Sequence, residues 1–181
     1  MVAIRIPAAE QRIRLSCVPW EAYVYFTDNF RHRRIRVTYD RGEMEIMTIS
    51  YKHERGKSLL ARLVEMLSFE LDIDIASGGS TTWRRQALQK GLEADECYWV
   101  QHEAVVRDLD NIDLENDPPP DLAIEVEMSR GTMDRMGIYA AMKVPEVWCW
   151  DGQSLIVHVL TARGVYRRNT QSNAFPFLPL D

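Results

Sequence analysis

Cysteine is scarce in this chain, and the three present, Cys17, Cys97 and Cys149, are isolated and odd in number. With no Cys-x-x-Cys pair, neither a zinc ribbon nor a disulfide framework organises the fold, and a reducing cytoplasm is the expected setting. Long apolar runs are missing too. No stretch approaches the roughly eighteen apolar residues of a membrane span, and the first residues carry no long apolar segment. A soluble, cytoplasmic protein without a membrane partner is expected. Cationic excess is also lacking: the formal charge is −5. That argues against general affinity for nucleic acid but leaves room for a local basic groove. Candidates for such a patch are Arg31, His32, Arg33, Arg34 and Arg36, and the pair Arg84 and Arg85, although solvated arginines are the plainer reading. Repeats, low-complexity tracts and domain linkers are absent.

What is present is enough apolar material for one core: 181 residues, 46% of them hydrophobic, read as a single domain over 1–181. Val18 to Tyr23 suggests a short helix entered through Pro19. Ile35 to Asp40 and Glu43 to Thr48 read as strands joined in a hairpin at Arg41-Gly42. From Tyr51 to Leu71 the apolar residues Leu60, Leu63, Val64, Leu67 and Leu71 fall on one helical stripe, with Ser50 as cap. Ser77-Gly78-Gly79-Ser80 breaks the chain between short strands at Thr81–Arg84 and Ala94–Val100. A polar loop from Asp108 ends in three prolines. After them come an acidic strand, a helix over Thr132–Met142, and strands at Val147–Trp150, Leu155–Leu160 and Val165–Arg168. The tail from Asn169 reads as irregular. The order predicts an α/β domain, a mixed β-sheet flanked by helices with an N-terminal β-hairpin.

The acidic strand carries the chemistry. In Asp121-Leu122-Ala123-Ile124-Glu125-Val126-Glu127-Met128, Leu122, Ile124, Val126 and Met128 point one way, and Asp121, Glu125 and Glu127 the other. Same-face neighbours lie about 7 Å apart, so such carboxylates can converge on one divalent cation. A solvated acidic face on a half-buried strand is the alternative. The four histidines show no metal-ligand spacing.

Taken in order, Glu54, Glu93-Ala94-Asp95, Pro120-Asp121-Leu122-Ala123-Ile124-Glu125-Val126 and Tyr139 through Val144-Pro145-Glu146-Val147-Trp148 resemble the Uma-two family of restriction endonucleases, in the PD-(D/E)XK nuclease superfamily. The similarity runs from about residue 20 to the C-terminus. It implies a restriction-endonuclease-like core and acidic residues that bind Mg²⁺, with Mn²⁺ as substitute, for hydrolysis of DNA phosphodiesters. Carried over by position, Glu54 is the helical acid, Asp95 the strand acid and Glu125 the acid of the next strand, with Asp121 beside it. The implied metal ligands are Asp95, Asp121 and Glu125.

The family's lysine is replaced. Glu127 comes after Glu125-Val126, and the matching place on the next helix holds Arg135, on one helical face with Ile138, Tyr139 and Met142. Arginine can hold a phosphate but stays protonated, so it cannot act as general base. Lys143 lies beyond the helix and is not expected to substitute. Two readings are open: a nuclease whose base is a carboxylate or bulk water, or a degenerate relative that binds nucleic acid or protein without cutting. A cation bound for stability alone is a third. Double-strand cutting by one small domain would call for two active sites, hence a possible homodimer. Each residue also has a plain reading: Glu54 favoured by a helix N-terminus, Asp95 at a strand end, Asp121 starting a strand, Arg135 as an ion-pair partner of Glu125. On the wheel, His53 is closer to the apolar stripe than Glu54.

Overall fold

In the computed structural model the structure describes residues 10–30, 34–129 and 131–178. The hairpin is where the sequence places it: β2 (Ile35–Asp40) and β3 (Glu43–Thr48) pair antiparallel through Arg41 and Gly42. Both turn residues take positive φ, 47° and 91°, the pairing whose twist matches two antiparallel strands. The hairpin does not stand alone. β1 (Arg12–Leu15) adds to β3, while β6 (Lys90–Glu93) and then β5 (Thr82–Arg85) add to β2, giving an antiparallel sheet of order β1-β3-β2-β6-β5. One mixed sheet was expected; there are two, because five strands rather than two join the N-terminal unit.

The second sheet is mixed. Its order is β11 (Tyr166–Asn169), β10 (Leu155–Leu160), β9 (Glu146–Trp150), β8 (Leu122–Val126), β7 (Glu96–Trp99) and β4 (Ala76–Ser77). Among the described residues only β8 and β9 run parallel, joined through α4 (Arg135–Ala141). That helix is shorter than the sequence suggests: the Asp134 side chain accepts from Gly137 N at 2.9 Å and starts it one turn late. Helix α2 (Tyr51–Leu71) has the expected bounds, and Ser50 Oγ accepts from His53 N at 3.1 Å, a cap typically contributing ~1 kcal/mol.

Helix α2 packs Leu60 and Val64 on Leu122, Ile124, Val126 and Trp148. The opposite face of β8 and β9 meets α4 and the first sheet through Ala123, Val147, Cys149, Ile138, Leu92 and Trp83. Strand β8 is therefore covered on both faces, and every residue in it is buried. The expected half-solvated acidic strand is a central one. The tail after Asn169 is irregular, as expected, and it is pinned to the core: Glu146 accepts from Trp148 Nε1 and Ser172 Oγ, both at 2.6 Å, and Phe175 packs 6.0 Å from the Trp148 ring.

Helix α1 (Trp20–Asn29) covers the outer face of the first sheet, with Tyr23 stacked on Tyr39 at 4.7 Å. A Cβ on Gly91 would lie 2.8 Å from Tyr23 Cε1 and collide with its hydroxyl. Gly91→Ala is therefore expected to cost about 1–3 kcal/mol, as overpacking does, and to lower the urea midpoint. An unchanged midpoint would contradict this packing.

Candidate functional site

Asp95 stands where the chain leaves β6 in one sheet and enters β7 in the other, so it sits at the seam between them. It is buried at 1% exposure. Its Oδ2 accepts from Val126 N at 2.8 Å, and its Oδ1 takes His53 Nε2 at 2.8 Å and Arg36 Nε at 3.2 Å. Burial raises its pKa, but His53, Arg36 and the Val126 amide outweigh that and hold it below the usual aspartate value. His53 bridges onward: its Nδ1 meets Glu10 Oε1 at 2.7 Å. A ring whose two nitrogens both face carboxylates must donate from both, which only the imidazolium can do. Burial opposes the charge; Asp95 and Glu10 overcome it and raise the pKa to about 9.

Glu125 lies on β8 beside Asp95, which follows from Glu96 pairing with Ile124. Its Oε2 accepts from Arg135 Nε at 3.1 Å, and its Oε1 accepts from Arg135 Nη2 and the Tyr139 hydroxyl. Arg135 also donates to Thr38 Oγ1 at 2.6 Å and to Glu93 O at 2.8 Å. Burial pushes the Glu125 carboxyl up while Arg135 pulls against it; the same pairing raises Arg135 still further, despite its burial. A cleft of about 200 Å³ opens here, lined among others by Arg12, Arg36, Thr38, Glu45, Glu125 and Arg135.

The structure thus brings Asp95, Glu125 and Arg135 together and leaves the other expected site residues apart. Glu54 is one helical step from His53 and lines a separate groove with Arg55 and Trp150; the helix presents histidine, not the acid, to the seam. Asp121 is four residues back along β8, about 13 Å away. Its oxygens accept from Val100 N at 2.8 Å and His102 N at 2.9 Å and meet His102 Nδ1 at 2.6 Å, so it braces the turn after β7. Glu127 is exposed, and so is Lys143, which takes φ +63° just past α4. Residues 31–33 of the expected basic cluster lie outside the described residues, and Arg36 is buried. Arg84 pairs with Asp28 at 2.9 Å and Arg85 with Glu115 at 3.3 Å, so neither is a free phosphate contact.

Two participants could not be read from the sequence. Arg36 and Thr38 alternate with Val37 and Tyr39, which reads as a wet strand face until a second sheet covers it. His53 did carry a signal, its place on the apolar stripe of α2.

A hard divalent ion takes oxygen ligands and keeps several waters. Among the described residues Asp95 Oδ2 and Glu125 Oε2 each have a single hydrogen-bond donor, so the donor chemistry is right. The charge is not: Arg36, Arg135 and His53 already neutralise the two carboxylates. Among the described residues no group of three or more His, Cys, Asp or Glu is arranged to hold a metal ion. As arranged, these residues do not fit a divalent cation.

The molecule is thus a mixed α/β fold that holds paired acids and a cation at the seam of two sheets. The chain belongs to the Uma2 family, described as "Putative restriction endonuclease", whose pattern matches residues 20–180. No curated protein matches it. Among the described residues, no helix is long and apolar enough to cross a membrane.

The imidazolium makes a signed prediction. A pKa raised from 6.5 to about 9 means stabilisation fully present below pH 6.5 and lost as pH rises through 9. Unfolding free energy, followed by urea titration, should fall across that window in the wild type and much less in His53→Gln; parallel pH profiles would contradict the assignment. Asp121→Ala leaves the Val100 and His102 amides without their acceptor. It should lose about 1–3 kcal/mol of stability without altering the Asp95–Glu125 seam, checked by urea unfolding alongside the His53 pH profile.

Proposed function

We propose that this chain is a DNA endonuclease of low activity whose hydrolysis of phosphodiester bonds centres on Asp95 and Glu125, with Mg²⁺ or Mn²⁺ able to enter only in molecules where Arg135 has released Glu125. The observation that carries the reading is the meeting of these two acids, Glu125 on β8 and Asp95 at the entry to the neighbouring β7, beside a cleft to which the first sheet contributes Arg36 and Thr38. Membership of the Uma2 family supports it. Arg135 is the group that faces the scissile phosphate: guanidinium binds phosphate oxygens in pairs and holds its charge at any working pH. It is also what limits the reaction, since in this arrangement it is spent on Glu125. In this reading Asp121 leaves the ligand set, as a brace for the turn after β7, and Glu54 is no longer the supporting helical acid, being part of another surface.

A second reading is favoured by the completeness of that pairing. If Arg135 never leaves Glu125, the chain is a nuclease-fold module that binds nucleic acid without cutting. Supercoiled plasmid incubated in Mg²⁺, Mn²⁺ or EDTA separates the two. The nuclease reading expects slow nicking in metal, none in EDTA, none from Glu125→Ala, and about tenfold faster nicking from Arg135→Lys, which exchanges a two-pronged clamp for a point charge. No nicking from either the wild type or Arg135→Lys, both folded and both retaining DNA, would leave only the binding module.

A further inference from the structure

A second concavity, larger than the cleft, lies on the outer side of α2. It measures about 520 Å³ and is lined by Tyr51, Lys52, Arg55, Leu59, Arg62 and Trp150, with Glu54 as its one carboxylate. Three cations against one acid is a local excess of positive charge in a chain of formal charge −5. Lys52, Arg55 and Arg62 are exposed. Among the described residues none of them is in an ion pair, and Arg62 makes only a 3.4 Å bond from Nε to Ser58 O. The contrast with the seam is sharp, where every cation is spent on a carboxylate.

Spacing orders the groups. Tyr51, Arg55, Leu59 and Arg62 recur at three- and four-residue intervals, so they share one face of the helix. That face is opposite Leu60 and Val64, which the core uses. From Tyr51 to Arg62 it rises about 16 Å, the length of some four to five nucleotide steps at 3.4 Å each. Tyr51 is 75% exposed at one end, an apolar ring on a charged surface. Across from it, Trp150 and Met128 complete the wall at the carboxyl ends of β9 and β8. Val126 and Glu127, the residues just before Met128, line the acidic cleft. The two concavities therefore flank one short segment of chain, 126–128.

We propose that this face of α2 is a DNA-backbone track, in which Lys52, Arg55 and Arg62 contact successive phosphates and Tyr51 packs on a sugar or base. The charge excess selects a polyanion, and continuity with the cleft at 126–128 selects DNA over an acidic protein. The inference deepens the nuclease reading and rests on its substrate class. Phosphate contacts of this kind position a strand without reading its sequence, so the track is blind to base identity.

The test uses the full chain and a fluorescein-labelled 20-base-pair duplex and its single strand, with binding followed by anisotropy between 50 and 200 mM salt. The triple variant Lys52→Gln, Arg55→Gln, Arg62→Gln changes only exposed side chains. It is compared with Arg163→Gln, Arg167→Gln, Arg168→Gln, which removes the same charge from exposed positions near β11. The α2 variant is expected to bind about tenfold or more weakly, with the salt slope reduced by about 2 to 3, one unit for each lost phosphate contact; the control should bind as the wild type does. Equal affinity and slope in the α2 variant, a larger loss in the control, or no DNA binding by the wild type overturns the track. Plasmid nicking measured on the same proteins keeps the two readings separable. Nicking that survives the α2 substitutions undiminished sinks the track and leaves the nuclease; DNA binding through α2 with no nicking does the reverse.

Discussion

The Arg135–Glu125 pair is the interaction on which the arrangement of this molecule depends. One guanidinium reaches Glu125 in the second sheet, and Thr38 and the Glu93 carbonyl in the first. It therefore fixes how the two sheets meet, as well as how α4 lies across them. A buried pair of this kind is not a strong source of net stability, because both charges lose water. Its force shows when one partner is removed: an uncompensated charge is left at a dry seam, at a typical cost of about 3–5 kcal/mol. Register between the sheets is thereby specified by chemistry as well as by packing.

The same seam explains the electrostatic character of the site. Asp95 and Glu125 are the two groups a metal-using hydrolase would want side by side. Here each is matched by cations from the chain itself, His53 and Arg36 on one and Arg135 on the other. A lysine at position 135 would be a single flexible charge, able to share the space with an ion and its waters. The planar fork of arginine takes both oxygens of the carboxylate at once. The substitution that looks conservative by charge is the one that most changes what the site can hold.

How much of this was legible depends on where each residue's partners come from. The hairpin, α2 and its Ser50 cap rest on local patterns, turn chemistry and helical periodicity, and the structure has them within a residue or two. The separate N-terminal sheet was missed because β1 and β6 are four residues each, too short for alternation to register, which left β5, expected at 81–84, with no visible link to the hairpin. That miss propagated. Without a sheet over it, Arg36-Val37-Thr38 reads as a wet strand, and Asp121 to Glu127 as one acidic face. In fact Asp121 turns to the backbone at 100–102, Glu125 to Arg135, and Glu127 to water. Glu125 was singled out by the alternation of the acidic strand, Asp95 through the family resemblance and Arg135 through its departure from that family's pattern. His53 was within reach, since a histidine on the stripe that carries Leu60 and Val64 has to be buried, and a buried histidine needs partners.

Arg135 and a divalent ion would compete for the same Glu125 carboxylate, and Mn²⁺ binding followed by electron paramagnetic resonance tests that competition without reference to catalysis. Titrating the wild type and Arg135→Lys at equal concentration should show about tenfold or tighter Mn²⁺ binding in the lysine variant, abolished when Glu125→Ala is added. Equal Mn²⁺ affinity in the two proteins would mean that Arg135 does not guard the site, and the central claim would fall.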